Sequence, residues 1–221
     1  MRSVLKHIVS RTCQPWLVKY LAKTRTYRYK DIILDIAPEV FHPGFFFSTQ
    51  VLLDYINDQR IQQKTFLELG CGSGLISIAA AKKGAIVTAS DINPVAIEFL
   101  HSNAERNAVR MDIIFSDLFN EIPATAFDII AINPPYYKKD PVTAKDRAWC
   151  CGRNGEYFSA MFGQLGTFMH SNSEVLMVLF DGCDMQMIEA MAESNGFCLE
   201  PVHQKKNMLE TLFIYRIKRC C

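Results

Sequence analysis

"KTFLELGCGSGLISIAAAKKG", residues 64 to 84, decides the fold. An apolar run through Leu69 reads as a buried strand, and it stops at Gly70. Gly72 and Gly74 follow at alternate positions. A helix-period run then ends at Gly84, where glycine relieves the left-handed turn that closes many helices. Strand, glycine turn and helix make the opening of a βαβ unit. A turn of this kind leaves no Cβ between the main chain and a ligand.

The same alternation continues outward. "AIVTASD" (85–91) reads as a strand, and "NPVAIEFLHSNAERN" (93–107) as a helix with Asn93 as cap and Pro94 at its first position. "MDIIFSD" and "FDIIAIN" are strands, 155–170 a helix, "EVLMVLF" (174–180) a strand, and "CDMQMIEAMAESNG" (183–196) a helix. "GFCLEPVHQKK" and "ETLFIYRIK" have no helix between them and should pair antiparallel. Upstream, "KDIILDIAPEVFHPG" (30–44) suggests a short strand pair, and "STQVLLDYIND" a helix capped by Ser48 or Thr49. The expected architecture is α/β: a doubly wound, Rossmann-like fold with a seven-stranded, mostly parallel sheet and an antiparallel C-terminal hairpin. Residues 1–40 read as a basic extension (a helix plus short strands) and 41–221 as the main domain.

Chemistry-bearing residues fall at successive strand ends. Position 75 is Leu and 76 is Ile, so the third glycine of a dinucleotide fingerprint is missing. Glu68 would repel a phosphate and welcome a cation. Asp91, ending the second strand, suits the two hydroxyls of a ribose, and Asp117 suits the adenine amine. S-adenosylmethionine fits these conditions, having a ribose, a sulfonium, an ammonium and no phosphate. Its expected contacts are Thr49, Glu68, Gly70, Cys71, Gly72, Gly74, Asp91, Ile92, Asp117, Leu118 and Asn133.

The fourth strand ends in "AINPPYYKKD" (131–140), where two prolines stiffen the exit loop. Asn133 Oδ1 and the Pro134 carbonyl can each accept one N–H of a planar –NH₂. Those bonds favour the partly sp³ nitrogen needed for attack. Tyr136 offers a stacking face. Asn133, Pro134 and Tyr136 are therefore the catalytic candidates, with Pro135, Tyr137 and Trp149 beside the substrate. A plain strand-to-loop stop is the alternative for this segment.

"LELGCGSG", "DINPVAI", "SDLF" and "NPPY" resemble the small-domain class I methyltransferases with an [N/D]-P-P-[Y/F] motif, over roughly residues 40 to 217. That resemblance implies methyl transfer from S-adenosylmethionine to a planar nitrogen. Its targets are the glutamine amide of translation release factors, in the HemK-type enzymes, or exocyclic amines of adenine and guanine in rRNA or tRNA. "RAWCCGRNGEYF" (147–158) is similar to a segment of the eukaryotic and archaeal HemK-like group, which implies a release-factor substrate and a small activating partner. "PEVFHPG" is closer to the nucleic-acid-modifying members, whose loop often reads P-G-V-F. Phe45, Phe46 and Phe47 read either as a cover over the adenine or a flipped base, or as core. A non-catalytic cofactor-fold binding module is a third reading, against which the intact NPPY stands.

Composition bounds the rest. The 221 residues carry a formal net charge of +1 and suit one well-buried domain. Residues 1–30 hold eight Lys or Arg and no acid, leaving the remainder at a formal −7. A basic arm on an acidic body suggests RNA, ribosome or other anionic contact. A solvated leading helix and an organellar transit peptide are the alternatives. The eight cysteines show no C-x-x-C spacing and read as free thiols of a cytoplasmic protein. The five histidines form no ligand pattern, so no metal site is expected. No apolar run is long enough for a membrane span.

Overall fold

The computed structural model describes residues 20–143 and 145–220. Its core is a seven-stranded sheet in the order β5-β4-β3-β6-β7-β9-β8. The strands are β3 (Thr65–Leu69), β4 (Ile86–Asp91), β5 (Asp112–Phe115), β6 (Phe127–Ile132), β7 (Met169–Phe180), β8 (Phe197–Lys206) and β9 (Thr211–Arg219). Strands β3 to β7 run parallel, and β9 pairs antiparallel with both β7 and β8. The expected fold class and C-terminal hairpin are therefore present.

The period-two pattern of the strands sorts their side chains between two faces. Phe66, Val87, Ala89, Ile129 and Ala131 pack toward α1 (Phe47–Asn57), α2 (Leu75–Lys82) and α3 (Pro94–Arg106). Leu67, Leu69, Ile130 and Ile132 pack toward α4 (Glu156–Leu165) and α5 (Met185–Ser194). The helix starts at α3 and α5 follow sequence rules. Asn93 caps α3 by accepting from the Val95 N–H, with Pro94 behind it. Asp184 caps α5 by accepting from the Met187 N–H.

A second, two-stranded sheet, β1 (Arg25–Tyr29) and β2 (Ile32–Ile36), sits outside this core. Helix α3 completes its free edge. Asn107 exchanges bonds with the Ile33 main chain at 3.0 and 2.7 Å, and Asn103 with that of Asp35 at 2.8 and 2.9 Å. Two amides one helical turn apart thus act as a strand neighbour, and both are buried. The expected pair within 30–44 becomes one strand there, β2, whose partner precedes it. The leading helix and the first four basic residues of the arm (Arg2, Lys6, Arg11, Lys19) lie outside the described residues.

Three local expectations are corrected. Helix α4 ends at Leu165, followed by a 3-10 turn at Gly166–Phe168, and β7 begins five residues before Glu174. Its early, polar part pairs Met169 with Phe127 and then shifts register, so "HSNS" looks like loop in sequence. Ser48 and Thr49 lie inside α1, whose N-cap residue is Phe46 and has no side-chain cap bond. The free-thiol expectation fails at Cys198 and Cys220, which form a disulfide. The β8–β9 register sets Cys198 opposite Lys218, and the Cys220 N–H donates to the Gly196 carbonyl, bringing the two Cα atoms to 5.4 Å. A separation of 22 residues hides that proximity in the sequence.

No helix among the described residues is long and apolar enough to cross a membrane. Among the same residues, no group of three or more His, Cys, Asp or Glu side chains is placed to hold a metal ion.

Candidate active site

Parallel register brings four loops to one edge of the sheet. Leu69 lies level with Ser90 and with Ile132, and Asp91 lies level with Phe115. The glycine turn, Ile92–Asn93, Ser116–Leu118 and Asn133–Tyr136 therefore emerge side by side. Between β3 and β6 the chain changes direction across the sheet, and ligands bind at such switch points. A cavity of about 360 Å³ opens there, within the range of small-molecule sites.

Its lining brings together most of the residues singled out in the sequence. Thr49, Glu68, Gly70, Cys71, Gly72, Asp91, Ile92, Asp117, Leu118 and Asn133 through Tyr136 all face it. Gly74 does not. It has φ +73°, and a Cβ there would meet Leu100 Cδ1 at 2.2 Å, so its absence lets α2 start against α3. Gly70, also at φ +73°, would place a Cβ with nothing within 4 Å. That open space is where a ligand can lie against the main chain.

The acids are held individually. Asp91 accepts from the Gly72 N–H through Oδ2 at 2.7 Å and from the Asn93 N–H through Oδ1 at 2.8 Å. Each oxygen keeps a lone pair for a ligand hydroxyl. Burial raises the Asp91 pKa against the pull of those N–H groups. Glu68 is buried, and its Oε2 accepts from the Ser77 N–H at 2.7 Å and from the Ser77 hydroxyl. Burial pushes its carboxyl up to about 8. The negative charge expected of Glu68 thus emerges only near that pH or beside a cation.

This shift sets a pH dependence. A carboxyl whose folded pKa is raised contributes stability that is complete below its ordinary value of 4.5 and lost as pH rises toward about 8. Between those limits the slope from one such group approaches ~1.4 kcal/mol per pH unit. Glu68→Gln should flatten the fall in chemical-denaturation stability of the ligand-free protein from pH 5 to 8. An unchanged slope would show that another group carries it.

At the β6 end, Asn133 Nδ2 donates to Thr49 Oγ1 at 3.2 Å. Among the described residues its Oδ1 accepts no bond. The following loop is pinned from behind: the Trp149 carbonyl accepts from the N–H groups of Tyr136 at 3.0 Å and Tyr137 at 2.8 Å. The Tyr136 ring is half-buried, with its edge contact on Phe180 at 4.7 Å. Tyr137 is 48% exposed and lies outside the cavity lining. The Trp149 indole also lies outside it, packed on Phe41 at 4.9 Å and Phe46 at 4.5 Å.

Among the aromatic residues near the loop, Phe41 faces the cavity, while Phe45 packs on His42 at 4.8 Å and Phe47 packs against the core. His42 is buried, and its Nδ1 accepts from the Gly44 N–H at 3.2 Å. Sequence reasoning missed Phe41, Ser90, Ser116 and Tyr157 in the lining. Ser90 and Ser116 directly flank motif positions, a signal that was available. Tyr157 enters from α4, which no motif marks. Five carboxyl residues (Glu39, Glu68, Asp91, Asp117 and Glu156) and one arginine, Arg147, line the space. That balance suits a ligand with cationic groups and hydroxyls better than a phosphate.

Comparison with known proteins agrees with this geometry. A Methanocaldococcus jannaschii protein with the provisional name protein N5-glutamine methyltransferase is 42% identical over 108 residues, covering 48% of this chain and 52% of that protein. The chain thus spans about half the length of the curated relatives it matches. Among solved structures, the E. cuniculi Mtq2–Trm112 complex, described as responsible for methylating the termination factor eRF1, aligns with TM-score 0.62 and 20% identity, covering 82% of this chain and 99% of that one. The T. thermophilus 16S rRNA N2 G1207 methyltransferase, solved with AdoMet and guanosine, aligns with TM-score 0.64 and 18% identity over 88% of this chain and 50% of that one. Residues 33–150, just over half of the sequence, match the family described as methyltransferase small domain, and the chain belongs to that family.

Proposed function

We propose that this protein is an S-adenosylmethionine-dependent N-methyltransferase whose acceptor is a planar nitrogen, the glutamine side-chain amide of a translation release factor. The observation that carries the reading is the Asn133 amide at the cavity wall, with its –NH₂ bonded to Thr49 and its oxygen accepting no bond among the described residues.

The residues fit the cofactor. The space over Gly70, the carboxylate of Asp91 and the acid-rich lining suit its ribose and its two cationic groups. When bound, S-adenosylmethionine supplies an electrophilic methyl on sulfur. The chain does the rest. Asp91 would accept from the ribose hydroxyls, and Glu68 would turn its carboxyl group toward the cationic end of the cofactor. Asn133 Oδ1 and the Pro134 carbonyl would accept the two N–H bonds of the target amide and fix its nitrogen in the cavity. Their attraction grows as positive charge develops on that nitrogen, so it acts mainly in the transition state. Tyr136 supports the planar group. The methylated nitrogen, now acidic, returns a proton to solvent, so no strong base is required.

The 42% identity to the M. jannaschii protein supports glutamine as the acceptor. The Mtq2–Trm112 fold likeness is consistent with a release factor as substrate and a small activating partner. The basic N-terminal arm suits a reaction at the ribosome. Purified protein given radiolabelled S-adenosylmethionine with release factor, rRNA and tRNA in parallel should label the release factor. Label in RNA alone would make the acceptor an adenine or guanine amine. Bound cofactor with no labelled acceptor would leave a binding module.

A further inference from the structure

Resting on that reading, we infer that the rim of the cavity is a docking surface for a protein acceptor, held there by apolar contact rather than by charge. The large apolar side chains exposed among the described residues are Phe45, Ile86, Phe115, Tyr137, Val142 and Met208. One such exposure carries no message, but several around a single opening mark a protein contact site. Tyr137 and Val142 directly follow Tyr136 and Pro141, which both line the cavity. Val142 is 89% exposed, in a loop closed at its base by the bridge between Tyr137 and Cys150. Met208, 77% exposed, lies in the turn between β8 and β9. That turn reaches the same edge of the sheet. The Asp181 N–H donates to the Thr211 carbonyl at 2.9 Å, and Leu212 lies level with Phe180, on which the Tyr136 ring makes its edge contact. Partial burial and then the Glu210 carboxylate of this turn raise the Tyr137 phenol, so turn and loop are neighbours.

The charge around this opening argues for protein over nucleic acid. Lys138 is paired with Asp184 at 2.8 Å, and Arg153 with Asp140 at 3.2 Å. Lys139 and Arg147 have no ion pair among the described residues, and Arg147 shares the cavity wall with five carboxyl residues. Nucleic-acid binding draws its affinity from several unpaired cations, each displacing counterions from a phosphate. A wall rich in carboxyl groups works against that. Protein interfaces instead favour Tyr, Met and Arg, with charged residues depleted at the centre. The rim has the second composition. It suits a polypeptide segment whose apolar side chains rest on Tyr137, Val142 and Met208 while the acceptor side chain enters the cavity.

The test is calorimetric binding of the full chain to a purified release factor, with S-adenosylhomocysteine present, at about 50 and about 200 mM salt. Affinity should change by less than about threefold between the two, where six phosphate contacts would cost about a thousandfold. Val142→Lys and Met208→Lys place a charge in the surface at exposed positions that the core does not use. Each should weaken release-factor binding about tenfold or more and leave cofactor affinity within about twofold. On a nucleic-acid surface the same lysines would tighten binding, so the two classes of partner move in opposite directions. Three results would overturn the inference: unchanged release-factor affinity in both variants, no release-factor binding, or salt-steep binding of rRNA or tRNA that the lysines strengthen. A release factor that binds as expected but takes up no methyl would fail the functional reading alone. Release-factor methylation that neither lysine disturbs would fail the docking surface alone.

Discussion

Asn133→Ala should lower turnover by about 10²–10³-fold, the usual loss when one preorganised hydrogen-bond partner of a transition state is removed. The same variant should bind S-adenosylmethionine within a few-fold of wild type. The reason for the split is where the side chain points. Nδ2 is bonded to Thr49, and Oδ1, which accepts no bond among the described residues, is the atom proposed to receive the acceptor's N–H. Removing it deletes an interaction that strengthens as the nitrogen pyramidalises, so kcat and kcat/KM fall together. Calorimetry with the cofactor and single-turnover methyl transfer separate the two effects. Wild-type turnover in this variant would sink the mechanism.

Asp91→Ala should act at the opposite end of the cavity. Loss of two charge-assisted hydrogen bonds to the ribose, at ~1.5–3 kcal/mol each, weakens cofactor binding by roughly 100-fold or more. The variant also strips the Gly72 and Asn93 N–H groups of their acceptor. A denaturation curve must therefore accompany the titration, so that a loosened glycine turn is separated from a lost ligand contact. Asp91→Asn helps here, because its Oδ1 can still accept from one N–H while its charge is gone. Normal cofactor affinity in a folded Asp91→Ala protein would refute the assignment.

The framework and the strand-end part of the cavity wall were legible in the sequence because they rest on local rules. Strand periodicity, the glycine turn, the Asn93–Pro94 helix start and the strand-end positions of Asp91, Asp117 and Asn133 all depend on near neighbours. What escaped depends on contacts between distant segments. The polar start of β7 is a strand only because β6 lies beside it. The strand that pairs with β2 carries the polar pattern "RTYRY", and α3 supplies the outer edge of that hairpin through Asn103 and Asn107. The Cys198–Cys220 pairing follows from hairpin register. Glu68 lies near the end of β3, and its depth, which raises its pKa, is a tertiary fact. Phe41 faces the cavity while the aromatic stretch 45–47 does not, a difference no local pattern marks.

Trp149 illustrates the same limit. Its motif placed it near substrate, while the folded chain gives its carbonyl the task of holding Tyr136 and Tyr137 and gives its indole to Phe41 and Phe46. The wall behind the NPPY loop is thus built from three separate segments. That construction keeps Asn133, Pro134 and Tyr136 in one arrangement without help from the prolines alone.

In the proposed mechanism the cavity methylates a planar nitrogen. Fragmentation mass spectrometry of the acceptor that takes up labelled methyl locates the new bond directly. The new methyl should lie on the side-chain nitrogen of a glutamine in a release factor; a methyl on a hydroxyl or carboxylate oxygen, or on carbon, would overturn the mechanism.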